Sequence, residues 1–265
     1  MTRWLSGLAA LVWTSAAAAA PCPGNPDALG TEHVLAVDAR STPRVGRKHF
    51  PTTLPLAPKE VVLTFDDGPW PGTTDRVLDA LRRECVKATF FMVGELAVES
   101  PALARRVMTE GHTVGYHTYS HPLLNHMTLA AAEAEIDRGI AAVEKAVYGQ
   151  SGQEPVTPFF RFPGFASSPA LFDRLARRGI VVFGADLWAS DWNPMLPVDE
   201  LRLVLGRLHA TGGGIVLFHD TKAQTAAMIP SFLRELKRTG YHVVHVVPAG
   251  GRGSPAAATD LQQVR

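Results

Sequence analysis

The sharpest pattern along the chain is the run Val61-Val62-Leu63-Thr64-Phe65, which ends at once on Asp66-Asp67-Gly68-Pro69. A β-branched apolar run broken by Gly-Pro predicts a strand with its polar end at a strand mouth. Helical spacing of Val77, Leu78 and Leu81 predicts a helix over 74–84, followed by a strand over 88–93. Pro101 at a first turn and Gly111 as a stop bound a helix over 101–110, and 112–116 reads as a short strand. Thr128 can cap a long helix to about Tyr148, with Ile136, Ile140, Val143 and Val147 as its apolar stripe. Strands over 159–162, 180–185, 215–218 and 242–247 then alternate with helices over 169–178, 198–209 and 226–238. Alternation of this kind predicts an α/β fold with a parallel sheet. About seven βα repeats fit an incomplete, irregular (β/α) barrel.

The ends of the chain follow other rules. Arg3, the apolar run from Leu5 to about Val12 and the alanines before Pro21 mark residues 1–20 as a secretory signal peptide. That run is too short for a comfortable membrane span, and no other long apolar segment follows, so no stable span is expected after cleavage. Residues 21–59 carry no motif and are expected to form an added hairpin and loop closing the barrel bottom. Residues 249–265, rich in Gly, Ser and Pro at their start, read as a disordered tail. Twenty-six Lys and Arg balance 25 Asp and Glu for a formal charge of +1. With no basic run, the chain does not read as a nucleic-acid binder. Export would allow Cys22 and Cys85 to form a disulfide, although Cys85 could equally be a small buried residue.

The candidate chemistry lies at strand ends. Adjacent carboxylates such as Asp66 and Asp67 repel one another unless a cation holds one of them. A metal on one Asp leaves the other free as a base. Downstream, His117 and His121 stand four residues apart, which would stack two imidazoles on one side of a helical turn. Two His and one Asp leave open positions for water and substrate; zinc suits the set, and Fe(II) or another divalent ion can use it too. His126 does not share that face and is read as a bystander. Arg161, Asp186 and His219 each end a further apolar strand, and Trp188, Asp191 and Trp192 follow Asp186. Polar groups gathered at the C-terminal ends of strands are where α/β folds build active sites.

Five ordered segments, Thr64 to Pro69, His117 to His121, Arg161 to Gly164, Asp186 to Trp192 and Leu217 to His219, resemble the motifs of the NodB-type polysaccharide deacetylases, carbohydrate esterase family 4. The likeness spans 60–248. One departure is Gly164, where the family usually carries Tyr after Arg-x-Pro. The resemblance implies an incomplete barrel and one divalent ion on Asp67, His117 and His121, zinc first, with cobalt, nickel or iron as alternatives. It implies Asp66 as base, with Arg161 orienting it, and His219 as acid. Asp186 or Asp191 could raise the pKa of His219 by pairing, and the resemblance favours Asp186. Gly164 would offer a backbone N–H to the oxyanion, while Trp192 and Leu217 would wall the acyl pocket. Trp70, Tyr119 and Trp188 could stack on sugars, Tyr119 being as readily a packing residue. The expected activity is a secreted or periplasmic deacetylase acting on N-acetylglucosamine in chitin-like glycan, peptidoglycan or polyglucosamine. The alternatives are a hydrolase of another amide, such as a glycolipid formamide, and a non-catalytic carbohydrate-binding relative.

Overall fold

The computed structural model describes residues 22–152 and 154–250. The expected signal segment and the part of the expected tail from 251 onward lie outside the described residues. In chain order the elements are β1 (His33–Val37), β2 (Arg44–Val45), β3 (Glu60–Asp66), α1 (Thr74–Arg83), β4 (Thr89–Met92), α2 (Gly94–Glu99), α3 (Pro101–Thr109) and β5 (Thr113–Tyr116). There follow α4 (Leu129–Tyr148), β6 (Phe159–Phe160), α5 (Pro169–Arg177), β7 (Val181–Phe183), β8 (Leu187–Trp188), α6 (Pro197–Thr211), β9 (Gly214–His219), α7 (Ala223–Arg238) and β10 (His242–Pro248). As the pattern predicts, Thr128 caps α4 by accepting from Ala131 N–H. The short helix α2 and strand β8 are additions to the expected elements.

Every strand pair is parallel. The sheet runs β8-β9-β3-β4-β5-β6-β7-β2. Against β3, β9 takes one edge over Val61–Asp66, while the other edge is shared by β10 at Glu60 and Val61 and β4 from Thr64 on. The sheet curls as an incomplete barrel, as the sequence pattern predicts.

Two apolar clusters follow from strand alternation. Val61, Leu63 and Phe65 of β3, Phe90 of β4 and Val216 and Phe218 of β9 pack outward with the helices. Val62, Phe91, Phe159, Phe183 and Ile215 form an inner cluster. The same parity carries Thr64 and Asp66 inward after Val62, Arg161 inward after Phe159, and Leu217 and His219 inward after Ile215. The outer face therefore determines which polar side chains enter the barrel mouth.

The segment before β3 is not a hairpin at the barrel bottom. β1 pairs in parallel with β10, and β2 pairs in parallel with β7, so the two strands sit at different edges. Because β2 runs with β7, the loop after it emerges beside the C-terminal strand ends, where Lys48 N–H donates to Ala185 O at 3.0 Å. Cys22 and Cys85 are joined, with Cα atoms 5.7 Å apart, and tie the start of this segment to the end of α1.

Candidate metal centre and acid–base site

Asp66 ends β3 as a buried side chain. Arg161, fully buried, donates Nη1 to Asp66 Oδ1 at 2.6 Å and to Thr64 Oγ1 at 2.9 Å. Its other N–H groups reach the carbonyls of Gly184 at 2.8 Å and Phe183 at 3.3 Å. Phe91 lies under the guanidinium, 4.4 Å from ring centre to Cζ. A buried ion pair needs its remaining polar atoms satisfied, and this one has carbonyl, hydroxyl and π partners.

One residue on, the chain leaves the strand. Asp67 has φ +77, a conformation that Asp tolerates better than most residues. This turns its carboxylate towards His117 and His121, whose Nε2 atoms lie 3.5 and 3.2 Å from Oδ1. Asp67 Oδ1 is buried and has no hydrogen-bond partner. One ligand atom from each of Asp67, His117 and His121 lies within 4.8 Å of the others, and this is the only such group among the described residues. A buried oxygen without a donor, faced by two imidazole nitrogens, is the arrangement a divalent cation resolves. His117 is oriented to serve as a ligand, because its Nδ1–H donates to Arg161 O at 2.7 Å and Nε2 is left with a free lone pair. Arg161 thus fixes Asp66 by its side chain and His117 by its carbonyl. His126 stands outside the group.

The two histidines do not share a helical turn. Residues 117–123 are irregular, with Thr118 at φ +67 and His121 at φ +60, and Thr118 Oγ1 accepts from His121 N–H at 3.1 Å. The i, i+4 spacing brings them together through this loop instead.

His219 lies across from Asp66 as its neighbour in register on β9. Its Nδ1 is 2.7 Å from Asp191 Oδ1, and its backbone N–H donates to Asp191 Oδ2 at 2.6 Å. Burial lowers the pKa of His219; the hydrogen bond and charge of Asp191, with the charges of Asp67 and Asp66, outweigh it and push the value up to about 9.

Asp186 does not take this position, contrary to the resemblance. Its carboxylate accepts from Arg47 N–H at 2.8 Å, Thr53 Oγ1 at 2.7 Å and Ile215 N–H at 2.7 Å. The reason is register. β8 pairs Leu187 with Val216 and Trp188 with Leu217, so Asp186 falls beside Ile215. Four residues at roughly 3.3 Å each separate that level from His219. The chain must run on to Asp191 to reach the histidine. Asp186 instead fastens the loop after β2 to the strand ends.

The remaining site residues line the mouth. Leu217 is buried and Trp192 is 48% exposed; the Trp192 ring meets His219 edge-on at 5.9 Å and Trp188 at 6.0 Å. Gly164 is exposed at φ +54, and a Cβ there would lie 3.0 Å from Leu123 Cδ2, so this loop does not suit a side chain. The next residue, Phe165, turns aside to stack on His49 at 3.6 Å. Trp70, 49% exposed, lines a cleft of about 360 Å³ beside Asp67 with His121, Leu96 and Lys222. Tyr119 is covered by Arg138, whose Cζ lies 3.5 Å from the ring centre, and serves packing.

Three further polar residues support the site. Asp220, fully enclosed, accepts from Gly68 N–H at 3.1 Å and Thr74 Oγ1 at 2.5 Å and so holds the turn that carries Asp67. A Cβ on Gly68 would collide with its carboxylate, which explains glycine there. The signal for Asp220 was present in the pair His219-Asp220. Thr225 and Glu200 stand behind Asp191, and nothing in their local sequence marks them.

Comparison with known proteins gives the family. The polysaccharide deacetylase family model matches residues 54–183. A peptidoglycan-N-acetylglucosamine deacetylase of Bacillus cereus is 35% identical over 202 residues, covering 73% of this chain and 89% of that protein. One of Listeria monocytogenes is 34% identical over 231 residues, covering 84% of this chain; the chain spans about half of that relative, 47%. Among solved structures, a Bdellovibrio bacteriovorus peptidoglycan deacetylase superposes with a TM-score of 0.74 at 33% identity, covering 86% of this chain and 61% of that one. The chain belongs to the polysaccharide deacetylases of the NodB type, carbohydrate esterase family 4.

Proposed function

We propose that this chain is an exported, divalent-metal-dependent deacetylase that hydrolyses the N-acetyl groups of N-acetylglucosamine in a glycan, with peptidoglycan as the first candidate substrate. The observation that carries the reading is the division of labour between neighbours: Asp67 faces His117 and His121, while Asp66 is held apart on Arg161. The substrate is suggested by the relatives named above. Export is supported by the signal-like N-terminus and by the Cys22–Cys85 disulfide. No helix among the described residues is long and apolar enough to cross a membrane.

A zinc ion on Asp67, His117 and His121 would acidify water and polarise the amide carbonyl. Asp66, aimed by Arg161, takes the proton of the attacking water. The water oxygen bonds to the acyl carbon, and the Gly164 N–H would donate to the resulting oxyanion. His219, held protonated by Asp191, gives its Nε2 proton to the departing nitrogen. The C–N bond breaks, releasing acetate and a free amine. Trp192 and Leu217 form the wall against the acyl methyl, and Trp70 and Trp188 offer faces for sugar rings.

The test is acetate release, with the matching mass loss, across a panel of N-acetylated glycans: peptidoglycan fragments, chitooligosaccharides and polyglucosamine. Activity confined to a non-glycan amide would move the reading to another amide hydrolase. Glycan binding without release would leave a non-catalytic relative.

A further inference from the structure

Behind His219 a buried line of side chains continues past Asp191. Thr225 Oγ1, in the first turn of α7, lies 2.9 Å from Asp191 Oδ2 and 2.9 Å from Glu200 Oε1. Glu200, in the first turn of α6, is fully buried, and its Oε2 has no hydrogen-bond partner. No cationic side chain lies within 4 Å of it among the described residues. A carboxylate so placed would be a charge out of water with neither cation nor donor enough to hold it.

Counting protons decides the directions. A threonine hydroxyl owns one proton and here sits between two carboxyl groups. Asp191 already takes two N–H donors from His219, which marks it as the ionised partner. If both carboxyl groups were ionised, Thr225 could satisfy only one, and the other would face it lone pair to lone pair. Both Thr225 contacts are satisfied when Glu200 carries its own proton, and its unpartnered Oε2 is then a neutral carbonyl oxygen and not a buried charge. Glu200 O–H then donates to Thr225, Thr225 O–H donates to Asp191 Oδ2, and His219 Nδ1–H donates to Asp191 Oδ1.

We propose that Glu200 is, below neutral pH, a neutral carboxylic acid and a positioning residue of the acid site, holding Asp191, and through it the ring of His219, by way of Thr225. The inference rests on the reading of His219 as the general acid. Burial raises the pKa of Glu200 and the charge of Asp191 adds to the rise, against the opposing hydrogen bond of Thr225 and charge of His219, leaving it at about 7. The charged groups facing Glu200 are thus Asp191, from the loop after β8, and His219, from β9; α7 presents only the Thr225 hydroxyl. The result is a directed chain of four side chains from the floor of α6 to the barrel mouth. It removes the freedom of Asp191 to rotate away from His219, and Asp191 alone would hold the ring less firmly.

Two measurements test this. Infrared difference spectra of wild type minus Glu200→Gln, in buffers below neutrality, should show a protonated-carboxyl C=O band belonging to Glu200; absence of that band overturns the proposal. In kinetics, Glu200→Gln keeps a neutral donor towards Thr225 and should retain kcat within about twofold. Glu200→Ala and Thr225→Val should each lower kcat on the order of tenfold, the scale of lost outer partners, with KM little moved. Equal losses in Gln and Ala would also overturn it. Melting temperatures identify a variant that fails to fold, in which case the spectra and the Gln variant still decide. If wild type releases no acetate, or His219→Ala is harmless, the acid-site reading fails while the infrared band still reports the state of Glu200.

Discussion

Asp191 grips His219 twice, accepting from the ring at 2.7 Å and from the backbone N–H at 2.6 Å. The double contact fixes both the strand end and the imidazole, and it keeps the ring protonated. The limb of the turnover profile that belongs to His219 should therefore lie near pH 9, where His219 loses its proton. Asp191→Asn should move that alkaline limb to lower pH. The sign for stability is the same: a pKa raised from 6.5 contributes stability that is present below 6.5 and lost as pH passes 9. A pH profile of kcat for wild type and Asp191→Asn checks this, and an unmoved limb would assign the limb to another group.

Removing the proposed acid should separate two substrates. His219→Ala should depress hydrolysis of an N-acetyl amide strongly, because an amine leaves only when protonated, while an acetate ester of a good leaving group should suffer much less. Equal losses on both would give His219 a binding or folding role.

Asp66→Asn removes the proposed base without removing a ligand atom of the Asp67, His117 and His121 group. Metal content should stay near that of wild type while turnover falls by roughly a hundredfold or more. Retained turnover would mean that Asp66 is not the base.

Asp186 makes a separate prediction. Its three hydrogen bonds hold Arg47, Thr53 and Ile215. Asp186→Ala should lower stability by about 2–4 kcal/mol, while kcat of the folded enzyme changes far less than in Asp191→Asn. Chemical denaturation read beside kcat checks this; loss of turnover at unchanged stability would return Asp186 to the chemistry.

Chelation should abolish acetate release, and zinc should restore it at one equivalent per chain. His121→Ala should bind the ion more weakly, measured by metal analysis after dialysis. Undiminished binding would place the ion elsewhere.

Much of this molecule is legible in short stretches of sequence. Alternation in Val61-Val62-Leu63-Thr64-Phe65-Asp66 shows the strand and its inward face, because side chains on a strand change sides at every residue. Helix stripes such as Ile136, Ile140, Val143 and Val147 are equally local, and the types of residue at the strand ends name the chemistry. Tertiary structure decided what depends on register and on chain segments far apart. Whether Asp186 or Asp191 meets His219 turns on the two-residue strand β8 and its pairing with β9, too short to leave a pattern. The meeting of His117 and His121 depends on left-handed backbone at Thr118 and His121, where spacing alone suggests a helix. The course of residues 22–59 was hidden because each strand there borrows its partner from a distant strand. Glu200 reads in sequence as an acid in the first turn of a surface helix; only the packing of α6 on α7 buries it against Thr225, 25 residues away, and such a contact has no local signature.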